Sequence, residues 1–142
     1  MSPQYQSFQR ACYRQARSYL EICEVDDDDD HLADLDVFQA LVLVIRYEIM
    51  SQRLERAWIT LGRAIRLAKM LGLHLLDEER PRDEPARLGF SLSPTSDNAL
   101  LEERRRSFWG LYILESYAST RTGLPSHLGD AQVSKASEPC MK

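Results

Sequence analysis

The chain has 142 residues, 44% hydrophobic and 28% charged, a balance that is typical of folded globular proteins and argues against wholesale disorder. Its formal net charge of −4 provides no general attraction to nucleic acid phosphates. The longest apolar run, Ala40–Ile45, is far shorter than the roughly 20 residues of a membrane span, and the polar stretch Met1–Arg10 lacks a signal-peptide core. We therefore expect a soluble intracellular protein.

The first predicted helix runs from about Pro3 to Glu24. Its apolar residues recur at steps of three and four, which places them on one face; they are Tyr5, Phe8, Cys12, Ala16, Tyr19 and Cys23. Thiols on such a face are predicted to be inert core groups. The following run Asp26–Asp30 predicts a solvated loop, because adjacent carboxylates repel each other and cannot wrap one metal ion.

The two central helices are predicted from different patterns. The second, Leu35–Met50, has almost no polar face, and a helix that is apolar on all sides is usually central and covered by neighbours. The third, about Leu54 to Leu71, is amphipathic, and Gly72 is predicted to end it. One arc of about 140° holds the apolar residues of this third helix, namely Ala57, Trp58, Leu61, Ala64, Ile65, Ala68 and Leu71.

A long turn-rich stretch, about Leu75 to Asn98, predicts a surface loop. The fourth helix follows from about Ala99 to Thr122, with Ser96 or Asp97 as its cap and acidic residues in its first turn. Its apolar side is supplied by Leu101, Phe108, Trp109, Leu111, Tyr112 and Leu114. Residues 126–142 are polar and without periodicity, which predicts a tail without fixed structure.

The sequence contains no motif typical of a catalytic, metal-binding or cofactor-binding site. The three cysteines and three histidines have no zinc-ligand spacing, and no nucleophile elbow or phosphate-binding glycine loop is present. We therefore expect no catalytic, cofactor-binding, metal or DNA-binding residues. The basic cluster Arg104–Arg106 is interpreted as part of a solvated helix face with Glu–Arg pairs.

One repeat motif leaves an alternative open. Trp58, Leu61 and Gly62 match the opening of a tetratricopeptide repeat, but the expected partner helix and a second copy are missing. A free-standing, repeat-like helical interaction module is therefore the second hypothesis.

Three stretches together resemble the fungal-specific transcription factor domain, the middle region that follows a six-cysteine binuclear zinc cluster. Leu35–Leu43 is similar to the family's Gln-Ala-Leu helix, Ala57–His74 to its "AIRLA..LGLH" block, and Glu102–Pro125 to its "RRRxFWxLYIL" block. Glu115 stands where the family usually has Asp, and Leu124 where it usually has Arg.

The helical patterns predict an all-α fold of four main helices in an antiparallel array. The resemblance implies that residues 1–125 are a fragment of a larger helical domain, with some apolar surface left uncovered. The resemblance also implies a non-catalytic regulator of transcription in the nucleus. Without the resemblance, the sequence alone predicts a cytoplasmic protein. Zinc and DNA binding would belong to a full-length protein with the zinc cluster, with no cofactor in this chain and no membrane partner. The resemblance leaves two kinds of binding partner open, a protein and a small effector molecule. The matching residues treated as structural are Trp58, Gly62, Arg66, His74, Glu102, Arg105 and Trp109.

Overall fold

The computed structural model describes residues 3–25, 34–76 and 92–128, and all regular structure within these ranges is helical. The four helices are α1 (Pro3–Val25), α2 (Leu35–Met50), α3 (Leu54–Met70) and α4 (Asn98–Thr122), with a 3₁₀ turn at Leu73–Leu75. This confirms the predicted all-α fold. None of the described helices is long and apolar enough to cross a membrane.

The helix α2 occupies the centre and lies against α1, α3 and α4. The three-residue connection 51–53 makes α2 and α3 an antiparallel pair. The helix α4 runs parallel to α2, because Gln39 near the start of α2 donates to Glu103 near the start of α4 at 3.0 Å, and Gly110 then faces Val42 further along both helices.

The core is built mainly from α2 and α3. All the predicted core positions of α3 are buried except Trp58, which is half-buried and packs against the core. The prediction worked here because α3 carries a single apolar stripe opposite a charged face. Gly72 adopts φ 73 directly after α3, in the left-handed conformation that favours glycine, as predicted for the helix end.

The start of α4 partly matches its prediction. The Asp97 side chain caps the helix by accepting from the Ala99 N–H at 2.8 Å. Glu102 and Glu103, however, lie beyond the first turn, since α4 begins at Asn98. Their interaction with the helix dipole is therefore weaker than expected. Gly123 ends α4 at φ 71.

The predicted apolar face of α1 is largely exposed, which corrects the expectation of a buried stripe. Among the described side chains of α1, Tyr13 and Leu20 are buried, whereas Tyr5, Phe8 and Tyr19 are exposed. Cys12 is also exposed and Cys23 is only half-buried, so the prediction of two core thiols was wrong. The face of α1 that packs against α2 is therefore rotated to one side of the predicted face. Tyr13 contacts Glu48 of α2, whereas Cys12 is exposed.

Two further expectations need correction. The helix α2 is central but not fully covered, because Leu43 is 66% and Met50 70% exposed. The beginning of the predicted unstructured tail is ordered, with Leu128 only 1% exposed. The predicted acidic loop, most of the predicted loop 75–98 and the tail beyond residue 128 lie outside the described residues.

Candidate functional site

Within the described ranges, no three His, Cys, Asp or Glu side chains are grouped so that they could hold a metal ion. These residues therefore do not fit a zinc site. What the structure offers instead are two buried carboxylates that organise the helices and an apolar face that the described residues leave open.

The first carboxylate, Glu48 of α2, is completely buried. It accepts the phenolic proton of Tyr13 at 2.6 Å and lies 2.9 Å from the hydroxyl of Thr60. The Thr60 hydroxyl also lies 3.0 Å from the Arg56 carbonyl, but its single proton favours the charged acceptor. The Arg17 guanidinium lies 3.9 Å from the carboxylate. Glu48 thus connects α1, α2 and α3 at one point.

The hydrogen bond to Glu48 affects the acidity of Tyr13. Burial raises the pKa of the Tyr13 phenol, and the neighbouring Glu48 carboxylate raises this pKa further. The nearby guanidinium groups of Arg56 and Arg17 act in the opposite direction but do not cancel the rise in pKa. Tyr13 is therefore a stable proton donor at neutral pH.

The second carboxylate, Glu115 of α4, is also completely buried. It accepts backbone N–H groups of His127 and Leu128, the latter at 3.2 Å. These bonds satisfy two amides that follow the end of the helix. They fold the segment after Gly123 back onto α4 and bury Leu128.

The motif residues treated as structural occupy different environments. The ring of Trp58 lies 5.4 Å from that of His127, so α3 meets the segment after α4 there. Gly62 and His74 are half-buried, and Arg66 is exposed. Trp109 is half-buried with its ring edge-on to Tyr112 at 5.5 Å, and it is not among the residues that pack against the core.

The basic cluster of α4 is held by intramolecular contacts. Glu102 accepts from Arg105 at 2.9 Å and from Arg106 at 2.8 Å, and Arg104 donates to the Ser93 carbonyl at 2.9 Å. The hydrogen bonds from Arg106 and Arg105 lower the pKa of the Glu102 carboxyl. This arrangement agrees with the predicted helix face of Glu–Arg pairs.

The apolar face consists of two grooves that meet at Leu43. The first, which we call the α1/α2 groove, has a volume of about 350 Å³ and is lined on the α1 side by Tyr5, Phe8 and Cys12. The second, the α2/α4 groove, has a volume of about 690 Å³ and is formed by Leu43, Arg46, Met50, Gly110, Ile113 and Tyr117 with their neighbours. The predicted apolar face of α1 thus borders a groove rather than a core.

The sequence contains a signal for both buried carboxylates. Glu48 falls on the same stripe of α2 as the buried residues Leu41, Val44 and Ile45. Glu115 likewise follows Phe108 and Leu111 at helical spacing. A carboxylate at a core position of a helix indicates a buried polar contact, because an unpaired charge there is too costly.

Comparison with known proteins gives one consistent family. The sequence profile of the fungal specific transcription factor domain matches residues 2–141. The depudecin biosynthesis cluster-specific transcription activator DEP6 of Alternaria brassicicola is 47% identical over 87% of this chain and 20% of its own length. DEP6 of Fusarium langsethiae is 46% identical over 89% and 20%.

A more distant relative is the citrinin biosynthesis transcriptional activator of Monascus ruber, which is 32% identical over 92% of this chain and 24% of its own length. The chain spans about a fifth of the length of the first two relatives. No solved structure matches the chain.

Proposed function

The chain belongs to the fungal specific transcription factor domain family, and from this membership we propose that it is a regulatory, non-catalytic region of a fungal activator of transcription. The observation that carries the proposal is the match of the family profile to residues 2–141, nearly the whole chain. The residues that match the family also form the helical framework of the chain, since α2 contains the first motif stretch and α3 and α4 contain most of the other two.

The genes that this region serves are proposed to form a biosynthetic cluster. The relatives that share nearly half of the aligned residues are named as cluster-specific activators of depudecin biosynthesis, and the more distant relative is named as an activator of citrinin biosynthesis. Action in the nucleus follows from this role.

Zinc and DNA binding are assigned to a different module of a full-length protein. Two features of the described residues support this assignment. No three His, Cys, Asp or Glu side chains are grouped to hold a metal ion, and Arg104–Arg106 of α4 contact Glu102 or a backbone carbonyl. The isolated chain should therefore bind duplex DNA weakly, and Arg105→Ala should leave that affinity unchanged. A large salt-dependent loss of affinity in this variant would contradict the assignment.

The role in transcription is tested by deleting the coding sequence in the source fungus and comparing all transcripts with the parent strain. We expect transcripts of one contiguous biosynthetic cluster to fall, and the wild-type gene to restore them. Complementation with Glu48→Ala should restore less of the transcripts because the variant is destabilised, whereas the exposed-site control Glu55→Ala should restore them fully. Unchanged transcripts of all biosynthetic clusters would refute the proposal.

A further inference from the structure

The α2/α4 groove is formed by two parallel stripes of residues. Leu43, Arg46 and Met50 of α2 are spaced by three and four positions, and Gly110, Ile113 and Tyr117 of α4 have the same spacing. Each stripe spans eight residues, which is about 10 Å of helix from its first to its last Cα. Two parallel ridges of this length form the acceptor surface on which a third helix packs over about two turns.

The apolar side chains of this groove are unusually exposed. Leu43, Met50 and Ile113 are 66%, 70% and 64% exposed, and Tyr117 is also exposed. Single exposed apolar residues are common, but a contiguous patch on two adjacent helices marks a site of association. The helix α4 carries this second apolar side in addition to its buried face of Phe108, Leu111 and Ala118.

The shape of the groove favours a helix over a small molecule. A small-molecule site encloses most of its ligand, whereas the apolar lining here is widely exposed along an open channel. Gly110 contributes to the shape of the channel because it has no side chain. A Cβ added at this position would lie 3.6 Å from Val42 Cγ1. The two helices therefore approach closely and leave a continuous floor between their outer side chains.

The charge in the groove indicates the chemistry of the occupant. Among the described residues that line the groove, Arg46 is the one charged side chain and none is acidic. Within the described part of the chain, Arg46 is exposed and forms no ion pair or hydrogen bond. An apolar occupant would bury this guanidinium without a partner, which is costly, whereas an acidic side chain would pair with it.

We propose that the α2/α4 groove binds an amphipathic helix of a partner protein, which lays its apolar face along Leu43 and Ile113 and directs an acidic side chain to Arg46. A second copy of this chain fits less well. A symmetric dimer formed through the same groove would bring Arg46 near its own symmetry mate, and like charges at an interface are unfavourable. The proposal rests on the groove and not on the role in transcription.

The test uses the full chain and a panel of helical peptide probes. Each probe is a side-chain-stapled peptide of about 15 residues with leucines at positions i, i+3, i+4 and i+7, because shorter unconstrained helices are marginal in water. One glutamate is moved through the positions beside the leucine stripe, and each probe has a twin with lysine at that position. Methyl NMR shifts locate binding, with Ile59 of α3 as the distant control because it is 70% exposed outside this groove.

We expect at least one glutamate probe to shift the methyl signals of Leu43 and Ile113 but not those of Ile59. Its affinity should exceed that of its lysine twin by about tenfold or more. Arg46→Glu should reverse this preference. Ile113→Ala should weaken binding, whereas Ile59→Ala should not.

Three outcomes would overturn the proposal. The first is that no probe of the panel shifts the Leu43 and Ile113 signals. The second is that each glutamate probe and its lysine twin bind equally, or that Arg46→Glu keeps the original preference. The third is a concentration-dependent dimer, measured by light scattering, that Ile113→Ala dissociates and Ile59→Ala does not, since the occupant would then be a second copy.

Discussion

The phenolic oxygen of Tyr13 donates its proton to a carboxylate oxygen of Glu48 at 2.6 Å and joins α1 to the central helix α2. The other carboxylate oxygen lies 2.9 Å from the Thr60 hydroxyl of α3. Three helices thus share one buried anion. Buried carboxylates are tolerated only when their hydrogen bonds are satisfied, so this contact specifies how the helices meet.

Glu48→Ala should lower the free energy of unfolding by about 3 kcal/mol, because it leaves the buried Tyr13 hydroxyl without its acceptor and removes a buried side chain, while the Thr60 hydroxyl keeps the Arg56 carbonyl. Chemical denaturation of the full chain measures this change. Glu55→Ala, an exposed carboxylate on α3, should change stability by less than about 0.5 kcal/mol and serves as the control. A loss of less than about 1 kcal/mol in Glu48→Ala would mean that the carboxylate is not needed to join the helices.

The raised pKa of Tyr13 should make stability depend on alkaline pH. The unfolded phenol titrates near its usual pKa of 10.0, and the native pKa lies above it. As the pH rises from the unfolded pKa to the native pKa, the unfolded chain has lost a proton that the native chain keeps, so stability falls. Stability curves between about pH 9 and pH 11 should therefore decline more steeply for the wild type than for Tyr13→Phe. Parallel curves would show that Tyr13 titrates normally.

The contrast between α3 and α1 shows what the sequence could predict. The apolar stripe of α3 stands opposite charged residues, so its core positions other than Trp58, and the following Gly72, were predicted correctly. The helix α1 has apolar residues on a wider arc, and periodicity alone does not decide which part of that arc meets α2. Tyr13 is buried because its hydroxyl donates a hydrogen bond to Glu48. This partner lies 35 positions away, and no local sequence pattern reveals it.

The buried carboxylates and Leu128 were missed for related reasons. A glutamate in a helix is usually exposed, so its burial depends on donors supplied by other segments. For Glu115 these donors are backbone amides of residues 127 and 128, which carry no periodic signal. The apolar face of α2 was visible as hydrophobicity, but which part of it stays open depends on where α1 and α4 pack.

Glu115→Ala should release the segment after α4 while the helices stay associated. Two backbone amides would lose their acceptor, so we expect a loss of about 2 kcal/mol and faster hydrogen exchange at the Leu128 amide. Glu115→Asp, one methylene shorter, should show a smaller effect in the same direction. Glu55→Ala on the exposed face of α3 is again the control. Unchanged protection of Leu128 in Glu115→Ala would refute this role for the carboxylate.

The two tryptophans should differ in their contribution to stability. If Trp109 were fully buried, Trp109→Ala would be expected to lower the free energy of unfolding by about 3–5 kcal/mol. Because the ring is half-buried and not part of the core, we expect a loss of about 1–2 kcal/mol. Trp58 packs against the core and beside His127. Trp58→Ala should therefore cost more, about 3 kcal/mol. The reverse order of the two losses in chemical denaturation would contradict the described packing.

The glycines of α4 provide a matched pair for the last prediction. Gly123 adopts φ 71 at the helix end, where an L side chain is strained although the surrounding space is open. Gly123→Ala should therefore destabilise the chain by about 1 kcal/mol. Gly110 lies inside the helix, and an added Cβ would make an ordinary contact at 3.6 Å with Val42. Gly110→Ala should be neutral or stabilise by up to about 1 kcal/mol, because alanine is the better helix former. If Gly110→Ala destabilised the chain more than Gly123→Ala, α4 would have to lie closer to α2 than described.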